Sequence, residues 1–150
     1  MIAPICPTIC TPGGGGAGGA GIYSAMKISN AAPFTPPGGG GFVDFDTIDF
    51  DIGPALEPDL TSDAINVLED GVYMILATQF WSAGGSDDFI SIFVNGASVQ
   101  VDAAENPGVR AGSVSVLIEL SAGDLVQLVA QSSNPGGDPL LASLAVEKRN

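Results

Sequence analysis

The side chains best suited to chemistry in this sequence are carboxylates. Asp44, Asp46, Asp49 and Asp51 crowd into one short segment, and Asp87-Asp88 form a second pair in a turn-rich stretch. Several carboxylate oxygens converging at about 2.3–2.6 Å bind calcium, and two carboxylates across a cleft hydrolyse glycosides. Strand alternation parts Asp44 and Asp46 from Asp49 and Asp51 unless the chain slips by one residue between them. The expectation is therefore calcium held by Asp49 and Asp51, set against simple solvated charge on strand edges. No sugar cleft is specified. Trp81 and Phe80 offer a stacking surface for a sugar, although aromatics at a strand end more ordinarily pack against protein. With no His in the chain, every scheme that needs an imidazole as base or metal ligand is excluded. Cys6 and Cys10, the only cysteines, are open to a bridge within the chain, a bridge between chains, or the reduced state. No catalytic residue is expected, and no cofactor other than calcium.

The charge balance narrows the partners. The chain has 150 residues with 17 acids against 4 Lys plus Arg, a formal net charge of −13. Such a surface repels phosphate, so neither nucleic acid nor an anionic membrane surface is an expected partner. The opening MIAPICPTIC is apolar but lacks a basic region and contains Pro4 and Pro7, so it does not read as a signal peptide. The longest apolar stretch beyond it, Val72 to Ala77, is of strand length, short of the roughly 20 residues of a membrane-spanning helix.

Composition divides the chain in two. All the acids lie from Asp44 onward, while Met1 to Thr11 is Pro-stiffened and uncharged and is followed by the run GGGGAGGAG from Gly13 to Gly21. Residues 1–21 read as an anchoring arm and flexible linker, with Ile2, Ile5 and Ile9 as its apolar anchors, and residues 22–150 as one domain. Within that domain short period-two segments alternate with turn chemistry, and none shows helical spacing. Ten strands are expected: 22–29, 42–45, 48–52, 64–68, 72–80, 88–94, 97–101, 113–120, 124–131 and 140–147. This is an all-β, two-sheet sandwich. Asn95-Gly96 between two alternating runs is the strongest hairpin signal, and Ser121 to Asp124 is a second tight connection. The apolar parity changes between Val43-Phe45 and Ile48-Phe50-Ile52, which places a bulge or strand break at Asp46-Thr47.

The strands differ in how many faces need cover. Ser113 to Leu120 alternates, with Val114, Val116, Ile118 and Leu120 on one side and Ser113, Ser115 and Glu119 on the other. Val72 to Phe80 does not: Val72, Met74 and Leu76 fall on one side, Tyr73, Ile75 and Ala77 on the other. One set faces the core and the other needs a second cover, either another copy of the chain or a loop folded over it. Tyr73, Ile75 and Ala77 are assigned to a trimer interface.

Several motifs, taken in order, resemble the jelly roll shared by the globular head of complement subcomponent C-one-q and the tumour necrosis factor ligands. They are Tyr23-Ser24-Ala25, Pro33-Phe34-Thr35-Pro36-Pro37, Val43 to Ile48, Gly71-Val72-Tyr73, Val94-Asn95-Gly96 and Leu117 to Val126. The segment Pro54 to Ser62 departs from the family pattern, as does the charged end Glu147-Lys148-Arg149. The resemblance implies a jelly-roll homotrimer without catalytic residues. Together with the apolar arm, it leads to the expectation of a trimeric decoration or cement knob on a bacteriophage capsid. Such a knob would be bound to the major capsid protein or another shell protein, assembled in the host cytoplasm and displayed on the virion surface. The alternative is a receptor- or glycan-binding knob of a phage fibre or bacterial surface filament, acting through loops such as 83–87 and 103–112.

Overall fold

Runs rich in β-branched and aromatic residues, punctuated by Gly, Asn and Asp, fold as strands. The computed structural model describes residues 23–37, 40–81, 88–103, 111–132 and 139–149, and no helix occurs among them. The strands are β1 (Ala25–Ser29), β2 (Gly41–Phe42), β3 (Thr47–Ile52), β4 (Leu56–Asp59), β5 (Ala64–Val67) and β6 (Gly71–Trp81). They continue with β7 (Phe89–Val94), β8 (Ala97–Ala103), β9 (Ala111–Leu120), β10 (Leu125–Gln131) and β11 (Leu140–Arg149). One sheet has the order β3-β1-β11-β6-β9, and the other β4-β5-β10-β7-β8 with β2 added beside β10. Every pairing between them is antiparallel. The first and last strands lie side by side, and from β5 onward the chain crosses repeatedly between the sheets, the winding of a jelly roll.

The inward residues of both sheets make one core. Met26 and Ile28 of β1, Ile75 of β6 and Leu144 of β11 face Ile65, Ile92 and Leu128 of the other sheet, all fully buried. Alternation on β9 is as expected: Val114 and Leu120 are buried, Val116 and Ile118 pack on the core, and Ser113, Ser115 and Glu119 are exposed. Buried polar side chains close their own hydrogen bonds. The Asn30 amide donates to Ala32 O and Leu140 O, each at 2.8 Å, and its oxygen accepts from Ala142 N at 2.6 Å, tying the end of β1 to β11. Trp81 Nε1 donates to Gln79 Oε1 at 2.7 Å beneath the sheet. Among the described residues no buried side-chain nitrogen or oxygen lacks a partner.

All ten expected strands are present, but there are eleven. The extra one, β4, lies in the Pro54 to Ser62 segment. Pro58 breaks its pattern, yet β4 is an edge strand, where a missing N–H on the free side costs nothing. The turn before it requires glycine, since Gly53 has φ +81° and a Cβ there would collide with Tyr23 O and Ser24 Oγ. The second strand is shorter than expected. Val43 and Phe45 are buried but lie beyond β2, and strand structure is interrupted until β3 begins at Thr47. A bulge follows two residues later: pairing with β1 steps from Phe50 opposite Lys27 to Ile48 opposite Ile28, leaving Asp49 extra.

Candidate functional site

β6 is the strand whose two faces matter. Cross-strand register assigns them, because Ile75 stands opposite Val146 of β11 and Val116 of β9, both inward, whereas Leu76 stands opposite Ala145 and Ser115. Tyr73, Ile75 and Ala77 therefore point into the sandwich, each with 0% exposure within a single chain. The assignment of these three residues to an interface does not agree with their burial inside one chain. Those three side chains are core, and Tyr73 completes its burial by donating from its hydroxyl to Glu69 O at 2.7 Å. Burial also raises the Tyr73 phenol above its ordinary range.

The face left in water carries Met74, Leu76 and Phe80 of β6, Leu117 of β9, Leu141 of β11 and Phe50 of β3. Phe80 is 50% exposed, Leu117 58% and Leu76 41%. Register makes this one surface: Phe80 is opposite Leu141, Met74 is opposite Leu117, and Phe50 lies beyond β1. Tyr23, Phe50, Met74 and Leu76 surround a shallow hollow of about 140 Å³. The sequence did hold a signal for this face. Leu117 is the one large apolar residue among the wet positions Ser113, Ser115 and Glu119. Trp81 is fully buried and unavailable for stacking on a ligand, while Phe80 belongs to the exposed face.

Charges on this sheet neutralise one another locally. Lys27 Nζ lies 2.9 Å from Asp49 Oδ2, and Ser29 Oγ donates to Asp49 Oδ1 at 2.9 Å. The Lys27 contact, chiefly, holds Asp49 below the usual carboxylate range. Lys148 pairs with Glu69 at 2.6 Å, which raises the ammonium above its ordinary value, and Arg149 pairs with Glu147 at 2.7 Å. Every Lys and Arg among the described residues is thus ion-paired.

This arrangement bears on the calcium expectation. Both Asp49 oxygens are engaged by Lys27 and Ser29, and the bulge leaves Asp51 opposite Met26, whose side chain is inward. Asp46 Oδ1 accepts from Ala31 N and Thr47 Oγ1, which hold its carboxyl low. Among the described residues no three His, Cys, Asp or Glu side chains converge as a metal site. Asp49 and Asp51 belong to no such group of three. Ile2, Ile5, Ile9, Cys6, Cys10 and the Gly13 to Gly21 run lie outside the described residues, as does nearly all of the two loops proposed for recognition.

No family model matches the sequence, and no curated protein matches it. Solved structures do. The PRD1 vertex protein P5 superposes with a TM-score of 0.68 at 16% identity, covering 87% of this chain and 99% of that one. The globular domain of zebrafish complement 1qA protein gives 0.66 at 14% identity, covering 85% of this chain and 98% of that one. The tumour necrosis factor Eiger from S. frugiperda gives 0.62 at 12% identity, with 86% and 94% covered. At such identities the likeness speaks for the fold, and it agrees with the strand order derived above. The chain is a two-sheet jelly roll of the complement C-one-q and tumour necrosis factor type.

Proposed function

We propose that this protein is a non-enzymatic structural component of a bacteriophage virion. In this reading it is a homotrimeric knob that decorates the capsid and is attached to a shell protein by its N-terminal residues. The observation that carries the reading is the apolar outer face of the five-stranded sheet, where Phe50, Met74, Leu76 and Leu117 cluster and Phe80 and Leu141 lie beyond the hydrogen-bonded Thr78 and Ser143. A monomer leaves that face in water, and a second and third copy of the same face cover it with like chemistry. The fold likeness to a phage vertex protein supports the virion setting. An uncharged N-terminal arm suits docking on a shell better than a knob of formal charge −13, which other acidic surfaces repel.

Two measurements test the two halves. Sedimentation of the chain without residues 1–20 should give a trimer, and Leu76→Asp should dissociate it; a well-behaved monomer before substitution overturns the assembly. Removing residues 1–12 should abolish incorporation into purified particles while the trimer persists. Normal incorporation would assign docking to the knob and leave the arm for another partner, as in a receptor- or glycan-binding fibre tip.

A further inference from the structure

The Asn95-Gly96 turn carries more than the β7–β8 reversal. Both residues have positive φ, 52° and 79°, the conformation that a two-residue hairpin of this twist demands. The Asn95 side chain then reaches across to the β9–β10 turn. Its Nδ2 donates to Asp124 Oδ1 at 2.7 Å, and its Oδ1 accepts from Leu125 N at 2.9 Å. Asp124 Oδ2 accepts from Ser121 N at 2.8 Å. That turn is in turn fixed to the β5–β6 connection, since Gly123 N donates to Val67 O at 2.7 Å and Ala122 N to Asp70 Oδ1 at 2.8 Å. Three connections at one end of the sandwich are thus linked, two of them through the Asn95 carboxamide and the Asp124 carboxylate and the third through the Ala122 and Gly123 amides.

An asparagine followed by glycine has an intrinsic reaction, because no side chain at the second residue shields the backbone nitrogen. Nothing lies within 4 Å of the position a Cβ would take on Gly96. We infer that Asn95 is a deamidation site that its bonds to Asp124 and Leu125 hold closed, and that modification there unlocks this end of the sandwich. The Gly96 nitrogen, losing its proton, attacks Asn95 Cγ; the Cγ–Nδ2 bond breaks and Nδ2 leaves as ammonia. Water then opens the cyclic imide at either carbonyl, giving aspartate or isoaspartate, so the sum is asparagine plus water to acid plus ammonia. Attack requires Cγ to swing onto the Gly96 nitrogen. Both side-chain hydrogen bonds must break first, one of them to a charged acceptor and so among the stronger kind.

The product cannot re-form the clamp. It has no Nδ2 donor for Asp124, and it sets a second carboxylate against the first at hydrogen-bond range, where like charges repel. The isoaspartate form also adds a backbone atom to the turn, so the two positive-φ positions no longer fit the hairpin.

The test compares the full-length wild-type chain with Asp124→Ala in mildly alkaline buffer, below the melting transition of each. Mass spectrometry of the peptide holding Asn95 and isoaspartate labelling score the product. Losing one charge-assisted hydrogen bond should accelerate deamidation at Asn95 by about tenfold or more. Equal rates would overturn the clamp. If Asp124→Ala does not fold, the wild-type chain decides alone: Asn95 should deamidate about tenfold or more slowly in native buffer than in denaturant, and a ratio near one overturns the proposal. Absence of deamidation even in denaturant also overturns it.

Discussion

The outer faces of the two sheets are built from similar residues and behave differently. Outside the six-stranded sheet, Phe42 meets Phe93 edge-on with ring centroids 6.1 Å apart. Beside them Ser91 Oγ bonds Ser98 Oγ at 2.6 Å, and Gln127 donates to Ser62 O at 2.8 Å. Aromatics there pair with each other, and polar groups are satisfied within the chain. Outside the five-stranded sheet, Phe80 stands opposite Leu141 and Met74 opposite Leu117, with Leu76 next to Met74 on the same face, and no loop among the described residues folds over them. Apolar content alone does not mark an interface. What distinguishes the second face is that exposed large apolar side chains recur on adjacent strands without an internal partner.

That contrast breaks most sharply at Leu76. In the proposed trimer, Leu76→Asp would place an uncompensated charge in the covered face of every copy, costing about 3–5 kcal/mol per site. Sedimentation should show monomers. Phe42→Asp on the other sheet should leave the trimer intact and lower the melting temperature only modestly. If both substitutions dissociate it equally, the two faces are not distinct. The neighbouring inward position behaves differently again. Ile75→Ala should cost about 2–4 kcal/mol by opening a cavity, read as a shifted denaturation midpoint with the proposed trimer retained, because Ile75 is buried within a single chain.

How far the sequence discloses these faces depends on what kind of information each one needs. Strand positions, the Asn95-Gly96 hairpin and the alternation of β9 are local, and they are legible because period and turn chemistry are written in adjacent residues. The choice between the two apolar faces of β6 is not local. It follows from register with β9 and β11, where Ile75 meets Val116 and Val146, partners some 40 to 70 positions away. Asp49 illustrates the same limit. Its neighbours in sequence are other acids that suggest calcium, whereas its neighbours in space are Lys27 and Ser29 on β1, brought there by a bulge. β4 escaped because Pro58 spoils its pattern, and an edge tolerates what an inner strand does not.

The charged pairs sharpen the comparison by smaller amounts. Asp49→Asn removes the partner of Lys27 on the apolar sheet, and as the pair is partly exposed the cost should be about 0.5–1 kcal/mol, reduced by salt. The sign with pH follows from the lowered Asp49 carboxyl. Its contribution is full above the ordinary carboxylate value of 3.8 and is lost as pH falls through the lower value of the folded chain. Chemical melts from neutral to acid pH should show the difference between wild type and Asp49→Asn vanish in that range; a difference persisting in acid would mean the pair contributes through packing.

Asp63 runs the other way, and on the other sheet. It sits in the turn before β5 with φ 54°, and its Oδ1 accepts from Phe45 N at 3.1 Å. Burial raises its carboxyl above the ordinary value, only partly offset by the Phe45 hydrogen bond, and Asp44 and Asp59 add repulsion. The folded chain therefore binds a proton at Asp63 more readily than the unfolded chain does. Its charge destabilises the fold above the raised value, and the penalty is relieved as pH falls through that value. Asparagine keeps the acceptor for Phe45, tolerates the positive φ and removes the charge. Asp63→Asn should accordingly stabilise the chain near neutral pH, by about 0.5 kcal/mol after solvent screening, or about 1–2 °C in melting temperature. The gain should fade in acid, where the wild-type carboxyl is itself protonated. A loss of stability at neutral pH would show instead that the charged carboxylate is the better acceptor for Phe45, and that hydrogen bonding outweighs both burial and the neighbouring acids at this turn.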